Sequence, residues 1–182
     1  MEILIDDNLF LRAVTVADAE TIFAITEASR STLREWLPWL DMTTKEEHSR
    51  SYIESCITGF QENKSLSNVI LFDEKIVGIA GFNNLNHANK TVYIGYWLSK
   101  DAQGHGIMTR AVQALCQYAF EELQFNKVEI HAAVGNTKSR AIPERLGFVK
   151  EGTIRSAEWL YDHFVDHVVY GMLANEWIKT PK

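Results

Sequence analysis

Cysteine is scarce, with Cys56 and Cys116 the only two in 182 residues. Both sit inside helical patterns, so they read as small core residues and not as a disulfide framework or a metal knuckle. No apolar run approaches the roughly 18 residues a membrane helix needs. The N-terminus also lacks a basic stretch followed by an apolar one, so a cytoplasmic protein with no membrane partner is expected. Internal repeats, low-complexity runs and linkers are absent, and the length suits one domain over residues 1–182. There is no surplus of positive charge, since the net charge is −6. Direct nucleic-acid binding is therefore not expected. That balance serves solubility first, and it also suits a basic or amine-bearing partner.

What is present falls into a clear order. Leu9 to Val14 reads as a short strand. Thr15 with Asp18 reads as a capping box before a helix carrying Val16, Ala19, Ile22, Phe23 and Thr26. The segment Trp36-Leu37-Pro38-Trp39 is either a helix end packed on the core or an aromatic wall beside a binding cleft. Thr44 with Glu47 reads as a second capping box, opening a helix with Ile53, Cys56, Ile57 and Phe60 on one face. Val69 to Phe72 and Lys75 to Phe82 read as a hairpin turning at Asp73-Glu74, followed by a polar connection to Lys90. Strands are expected at 92–98, at 127–134, from Phe148 to Arg155 and from Phe164 to Leu173, with surface chain after Asn175. The helix joining the strands at 92–98 and 127–134 requires them to be parallel. The count predicts an α+β fold with a mixed, mostly antiparallel sheet of six to seven strands flanked by helices.

The stretch from Trp97 to Met108 reads as a strand end, a loop with Gly104 and Gly106, and a helix start. Such a loop aims several backbone N–H groups at one point, which favours an anion and most often a phosphate. It is not a Walker loop, because Ile107 follows Gly106. It is a poor dinucleotide loop, because Thr109 stands where a third small residue belongs.

A second constellation lies about thirty residues on. The order strand, Gln103-x-x-Gly106 loop, helix, strand, Asn136-x-x-Ser139, helix, Leu146-Gly147-Phe148, strand resembles the GNAT superfamily of acetyl-coenzyme A-dependent N-acetyltransferases. The resemblance covers nearly the whole chain. Leu33 to Leu40 and Tyr93 to Leu98 are similar to the RimJ/RimL branch, whose enzymes acetylate the N-terminal amine of ribosomal proteins.

The resemblance implies roles. Gln103, Gly104, His105, Gly106, Ile107 and Met108 would bind the pyrophosphate of coenzyme A through backbone N–H groups. Leu98 and Ser99 would pair with the pantetheine arm where the strand splays from its neighbour, and Asn136 would hydrogen-bond the arm or simply cap a helix. Met108 departs from the small residue usual after the second glycine. Pro143 stands where many members carry a tyrosine for the departing thiolate, so Ser139 becomes the candidate partner, or a first-turn helix cap. The base is open between two residues. His131 stands where some members place a Glu, and Glu158 matches the branch's acid, in what reads as a turn beside Trp159 and Tyr161. Trp36, Trp39 and Tyr161 would line the acceptor cleft.

The implied reaction is direct attack of an amine on acetyl-CoA in a ternary complex. Acetyl-CoA is the co-substrate and no metal is involved. The acceptor expected first is the N-terminal α-amine of a ribosomal protein. A small amine (polyamine, amino sugar or aminoglycoside) is the alternative, and a non-catalytic acyl-CoA-binding module comes after it. A homodimer fits the branch. His163 and His167 with Asp162 and Asp166 lack a third metal ligand or a metal signature, and Asp166 is expected to make a structural contact.

Overall fold

The computed structural model describes residues 2–177. Eight strands form one sheet in the order β1-β2-β3-β4-β5-β6-β8-β7. They are β1 (Glu2–Asp6), β2 (Leu9–Ala13), β3 (Leu66–Phe72), β4 (Lys75–Asn86), β5 (Thr91–Leu98), β6 (Lys127–Ala133), β7 (Val149–Leu160) and β8 (His163–Leu173). Every neighbouring pair is antiparallel except β5 with β6. The helices are α1 (Ala19–Ala28), the short α2 (Arg30–Leu33), α3 (Glu46–Gln61), α4 (Ile107–Gln117) and α5 (Thr137–Arg145).

Alternation along the strands sends successive side chains to opposite faces. On one face Leu66, Ile70, Phe82 and Ile94 join Ile107, Ala111, Val112 and Leu115 of α4 in the larger core. On the other face Val69, Leu71 and Ile79 pack against Ala19 and Ile22 of α1 and Ile53 and Cys56 of α3. Cys56 and Cys116 are both buried and unbridged. No described helix is long and apolar enough to cross a membrane.

Five expectations are corrected. The sheet has eight strands because Glu2–Asp6 adds an edge strand, whose Leu4 is 79% exposed and gives no alternation to read. The polar chain after Phe82 continues β4 to Asn86 past a bulge, and β7 runs on past Arg155 to Leu160. Thr44 and Glu47 do not box the start of α3: the N-cap is Lys45, and the Thr44 N–H reaches His48 Nδ1 at 3.2 Å. The chain after Asn175 is not all surface, since Trp177 stacks on Phe120 with ring centroids 5.8 Å apart. Residues 178–182 lie outside those described.

The first capping box does form. The Thr15 N–H and hydroxyl donate to Asp18 at 2.8 and 3.0 Å, and Arg12 grips the same carboxylate with two bonds of 2.8 and 2.6 Å. Burial alone would push the Asp18 carboxyl up, but Arg12 and Thr15 together hold it below the usual carboxylate range. Asp18→Asn should therefore cost about 2–3 kcal/mol, measured by urea unfolding at pH 7. A native pKa below the unfolded one means that this stability is complete above about pH 4–5 and is lost as pH falls further. The gap between variant and wild type should accordingly shrink between about pH 4 and pH 2.

Candidate functional site

β5 and β6 pair only at Thr91–Lys127, Val92–Val128 and Tyr93–Glu129. Beyond that point each keeps its outer partner: β5 stays on β4 as far as Leu98–Gly78, and β6 stays on β8 as far as Ala133–His167. The two strands part after Tyr93 and leave a wedge. The Ser99 N–H donates to the Val77 carbonyl at 2.8 Å, toward β4. Backbone groups alternate along a strand, so those of Leu98 and Tyr96 face the wedge. The Leu98 N–H thus faces the wedge, whereas the N–H and the carbonyl of Ser99 (the latter to the Ala102 N–H, 3.1 Å) are both already used.

The loop at the head of the wedge is built by two glycines. Gly104 and Gly106 have φ of +85° and +71°, a region costly for other residues. A Cβ added at either would meet nothing within 4 Å, so the space beside both glycines is open. Gly106 is the N-cap of α4 and offers no side chain, which leaves the first-turn N–H groups for an external acceptor. Ile107 and Met108 send their side chains into the core. The departure at Met108 therefore leaves the backbone surface unaltered. The Gln103 amide steadies the loop by donating to the Leu98 carbonyl at 3.4 Å. His105 Nδ1 lies 3.4 Å from the Ala102 carbonyl oxygen.

α5 closes the wedge from the other side. Asn136 is its N-cap, with Oδ1 accepting from the Ser139 N–H at 3.1 Å. The cap uses only the oxygen of that amide. Ser139 is therefore not the cap, and its hydroxyl donates to Tyr96 Oη at 3.2 Å. Lys138 Nζ lies 3.4 Å from Gln103 Oε1, and Arg145 donates to Thr109 Oγ1 at 3.1 Å. The glycine loop and α4 thus meet α5 across the wedge. Sequence reasoning missed Tyr96, whose alternation on the α4 face marked it only as core.

The opposite face of the wedge carries the titratable groups. Glu158 is not in a turn; it lies in β7 opposite Val165, and the turn is Tyr161-Asp162. A bulge between Ile154 and Glu158 shifts the register, with Ser156 at φ +50° and its N–H held by Asp166 Oδ1 at 2.8 Å. That bulge seats Glu158 Oε2 3.4 Å from His167 Nε2. On the same face the His131 ring stacks on Tyr93 at 4.7 Å, and its Nε2 lies 3.5 Å from Glu129 Oε2. Burial pushes the His131 imidazole below its ordinary range, although Glu129 opposes the shift. His163 instead pairs with Asp162 at the hairpin tip. Among the described residues no group of three His, Cys, Asp or Glu is placed to hold a metal.

The aromatic residues divide between the two roles open for them. Trp36 covers Gly135, where an added Cβ would lie 3.2 Å from its ring, and it lines a cleft of about 350 Å³ with Val134, Phe164 and Val165. Trp39 turns to the sheet and stacks on Trp97 at 6.2 Å. Tyr161 donates to the Leu37 carbonyl at 2.6 Å, carries the Arg34 guanidinium 3.9 Å above its ring, and lines a second cleft of about 460 Å³.

Comparison with known proteins places this geometry. Residues 8–149 match the family model of the acetyltransferase (GNAT) domain. The Bacillus subtilis (strain 168) protein YdaF is 34% identical over 177 residues, covering 95% of each chain. RimL, a ribosomal α-N-protein acetyltransferase solved in complex with coenzyme A, has a TM-score of 0.93 at 27% identity, over 97% of this chain and 99% of its own. The self-immunity acetyltransferase MccE, solved with acetyl-CoA and AMP, has a TM-score of 0.89 at 31% identity, over 93% of this chain and 94% of its own.

A methyl group at the open loop separates folding from binding. Gly106→Ala should lower stability by only about 1–2 kcal/mol of left-handed strain. In a titration with coenzyme A it should weaken binding at least about tenfold, because the backbone could no longer approach the ligand.

Proposed function

The chain belongs to the acetyltransferase (GNAT) family, and from that premise we propose that it carries acetyl from acetyl-CoA to a protein N-terminal α-amine by direct attack in a ternary complex. Its class is that of the acetyl-CoA-dependent N-acetyltransferases. The observation that carries the reading is the wedge: an anion-binding loop at its head, free strand edges along it, and a carboxylate at its far face.

The groups fit the cofactor. The glycine backbone at Gly104 and Gly106, with open space beside it, suits a pyrophosphate, and the wedge edge at Tyr96 and Leu98 suits an amide-bearing arm. The Asn136 amide stands at the mouth of the wedge, beside Ser139. Acetyl-CoA supplies the activated thioester; the protein supplies position and charge. Glu158 takes the proton of the attacking amine, directly or through one water. An α-amine with a pKa near about 8 needs only modest help, whereas a lysine near about 10.4 needs more. The Leu98 N–H faces the developing oxyanion. Ser139 donates a hydrogen bond to the departing sulfur, which is sufficient because a thiol of pKa near about 8.5 is a fair leaving group. Holding amine and thioester together supplies much of the acceleration.

The protein acceptor is supported by the course of the clefts. Val165, the strand partner of Glu158, lines the cleft under Trp36, and a second, separate cleft lies at the hairpin tip beside Arg34 and Tyr161. The cleft under Trp36 gives an extended peptide a course that begins beside the strand partner of Glu158. RimL, which shares 27% identity, acts on a ribosomal protein N-terminus.

Thiol release from acetyl-CoA should be measured with short peptides of varied N-termini, polyamines and aminoglycosides. Turnover is expected with the peptides; turnover with small amines alone would overturn the acceptor, and none with any amine would favour a binding module. Glu158→Gln should lower kcat about 10²–10⁴-fold with acetyl-CoA affinity unchanged. A wild-type rate in that variant would remove Glu158 as the base and leave His131 as the remaining candidate.

A further inference from the structure

We propose that Tyr96 is a positioning residue for Ser139, holding its hydroxyl ready for the departing sulfur, and that Pro143 is what seats Tyr96 there. The inference rests on the reading of Ser139 as the sulfur's partner.

The argument begins with a backbone group. In an α-helix the N–H of residue 143 would donate to the carbonyl of residue 139. Pro143 lies inside α5 and has no N–H to give. The Ser139 carbonyl is instead satisfied from outside the helix, by the Tyr96 hydroxyl at 3.0 Å. A carbonyl in a part-buried turn needs such a partner. Tyr96 comes from β5, three residues past its last pairing with β6, so the contact spans the wedge between strand and helix.

The same phenol oxygen then accepts from Ser139 Oγ at 3.2 Å. With Asn136 on its N–H, Ser139 has a partner for its amide, its carbonyl and its hydroxyl, and its side chain is fixed in one orientation. Burial pushes the Tyr96 phenol up, so it remains a neutral donor at any working pH.

The pair also provides for the moment of departure. The new N–C bond forms, the C–S bond breaks, and its electron pair leaves on sulfur. The amine's proton goes to Glu158. The Ser139 O–H turns from Tyr96 Oη to the sulfur, while the Tyr96 O–H stays on the Ser139 carbonyl and keeps the residue in place. No proton changes owner along this pair.

The test compares the wild type with Tyr96→Phe, Ser139→Ala and the double variant, reading kcat, KM for acetyl-CoA and thermal midpoint. Each single change should lower kcat about tenfold, and the double should be no slower than the slower single, because Tyr96 acts through Ser139. KM for acetyl-CoA should stay within about twofold. Tyr96→Phe should also lower the midpoint by several degrees, and that loss should vanish in a Pro143→Ala background, where residue 143 again supplies an N–H. Should Tyr96→Phe alone fold poorly, Pro143→Ala with Tyr96 intact carries the kinetic comparison: it should lower kcat in the same direction because Tyr96 loses its seat, and a wild-type kcat there overturns the role of Pro143. A slow Ser139→Ala beside a Tyr96→Phe at wild-type kcat overturns this inference alone. Losses that multiply to about a hundredfold in the double variant also overturn it, since the two would then act independently. A Ser139→Ala chain at wild-type kcat removes the role of Ser139 itself.

Discussion

Three residue pairs hold β5 to β6, and the site depends on their being only three. Parallel pairing that stopped sooner would leave the sheet in two pieces. Pairing that ran on to Leu98 would consume the strand edges that now face the wedge. The separation is maintained because each strand has a stronger attachment elsewhere. β4 follows β5 to its end and β8 follows β6 to its end, so neither needs its inner neighbour. The unpaired edges are left at the point where the glycine loop, the start of α5 and the Glu158 bulge converge.

The two faces of the wedge divide the chemistry. On the α4 face lie the glycine loop and the Tyr96–Ser139 pair, all neutral groups suited to holding an anion and a thioester. On the other face lie the titratable groups and the ring beside them, Tyr93, Glu129, His131, Glu158 and His167. α1 and α3 cover this face over β3 and β4, and Trp36 closes over Gly135 at the end of β6. This face is therefore a surface of carboxylates, imidazoles and aromatic rings.

The glycine loop and the start of α5 were legible in the sequence because they are local. Gly104, Gly106 and the Asn136 cap are features of backbone geometry and helix starts, which short spacings report directly. The strands around them were legible by alternation, and the parallel pair followed from its crossover helix. What escaped was set by partners distant in the chain. Glu158 reads as a turn residue because the bulge that keeps β7 running past Ser156 is stabilised by Asp166 of β8. Ser99 reads as a contact for the arm because nothing in its neighbours reveals that Val77 claims its N–H. Trp36 and Trp39 look equivalent, but one turns to the cleft and the other to Trp97. Pro143 reads as a loss, yet the carbonyl it releases is taken by a tyrosine 47 positions earlier.

The wedge is tested most directly by amide hydrogen exchange, residue by residue, with and without acetyl-CoA. The account predicts slowing at Tyr96 and Leu98, whose N–H groups face the wedge, and at Ile107 and Met108 in the first turn of α4. Trp97 and Ser99, already directed toward β4, should not change. Slowing at Trp97 and Ser99 with none at Leu98, or no change anywhere from 96 to 108, would contradict it.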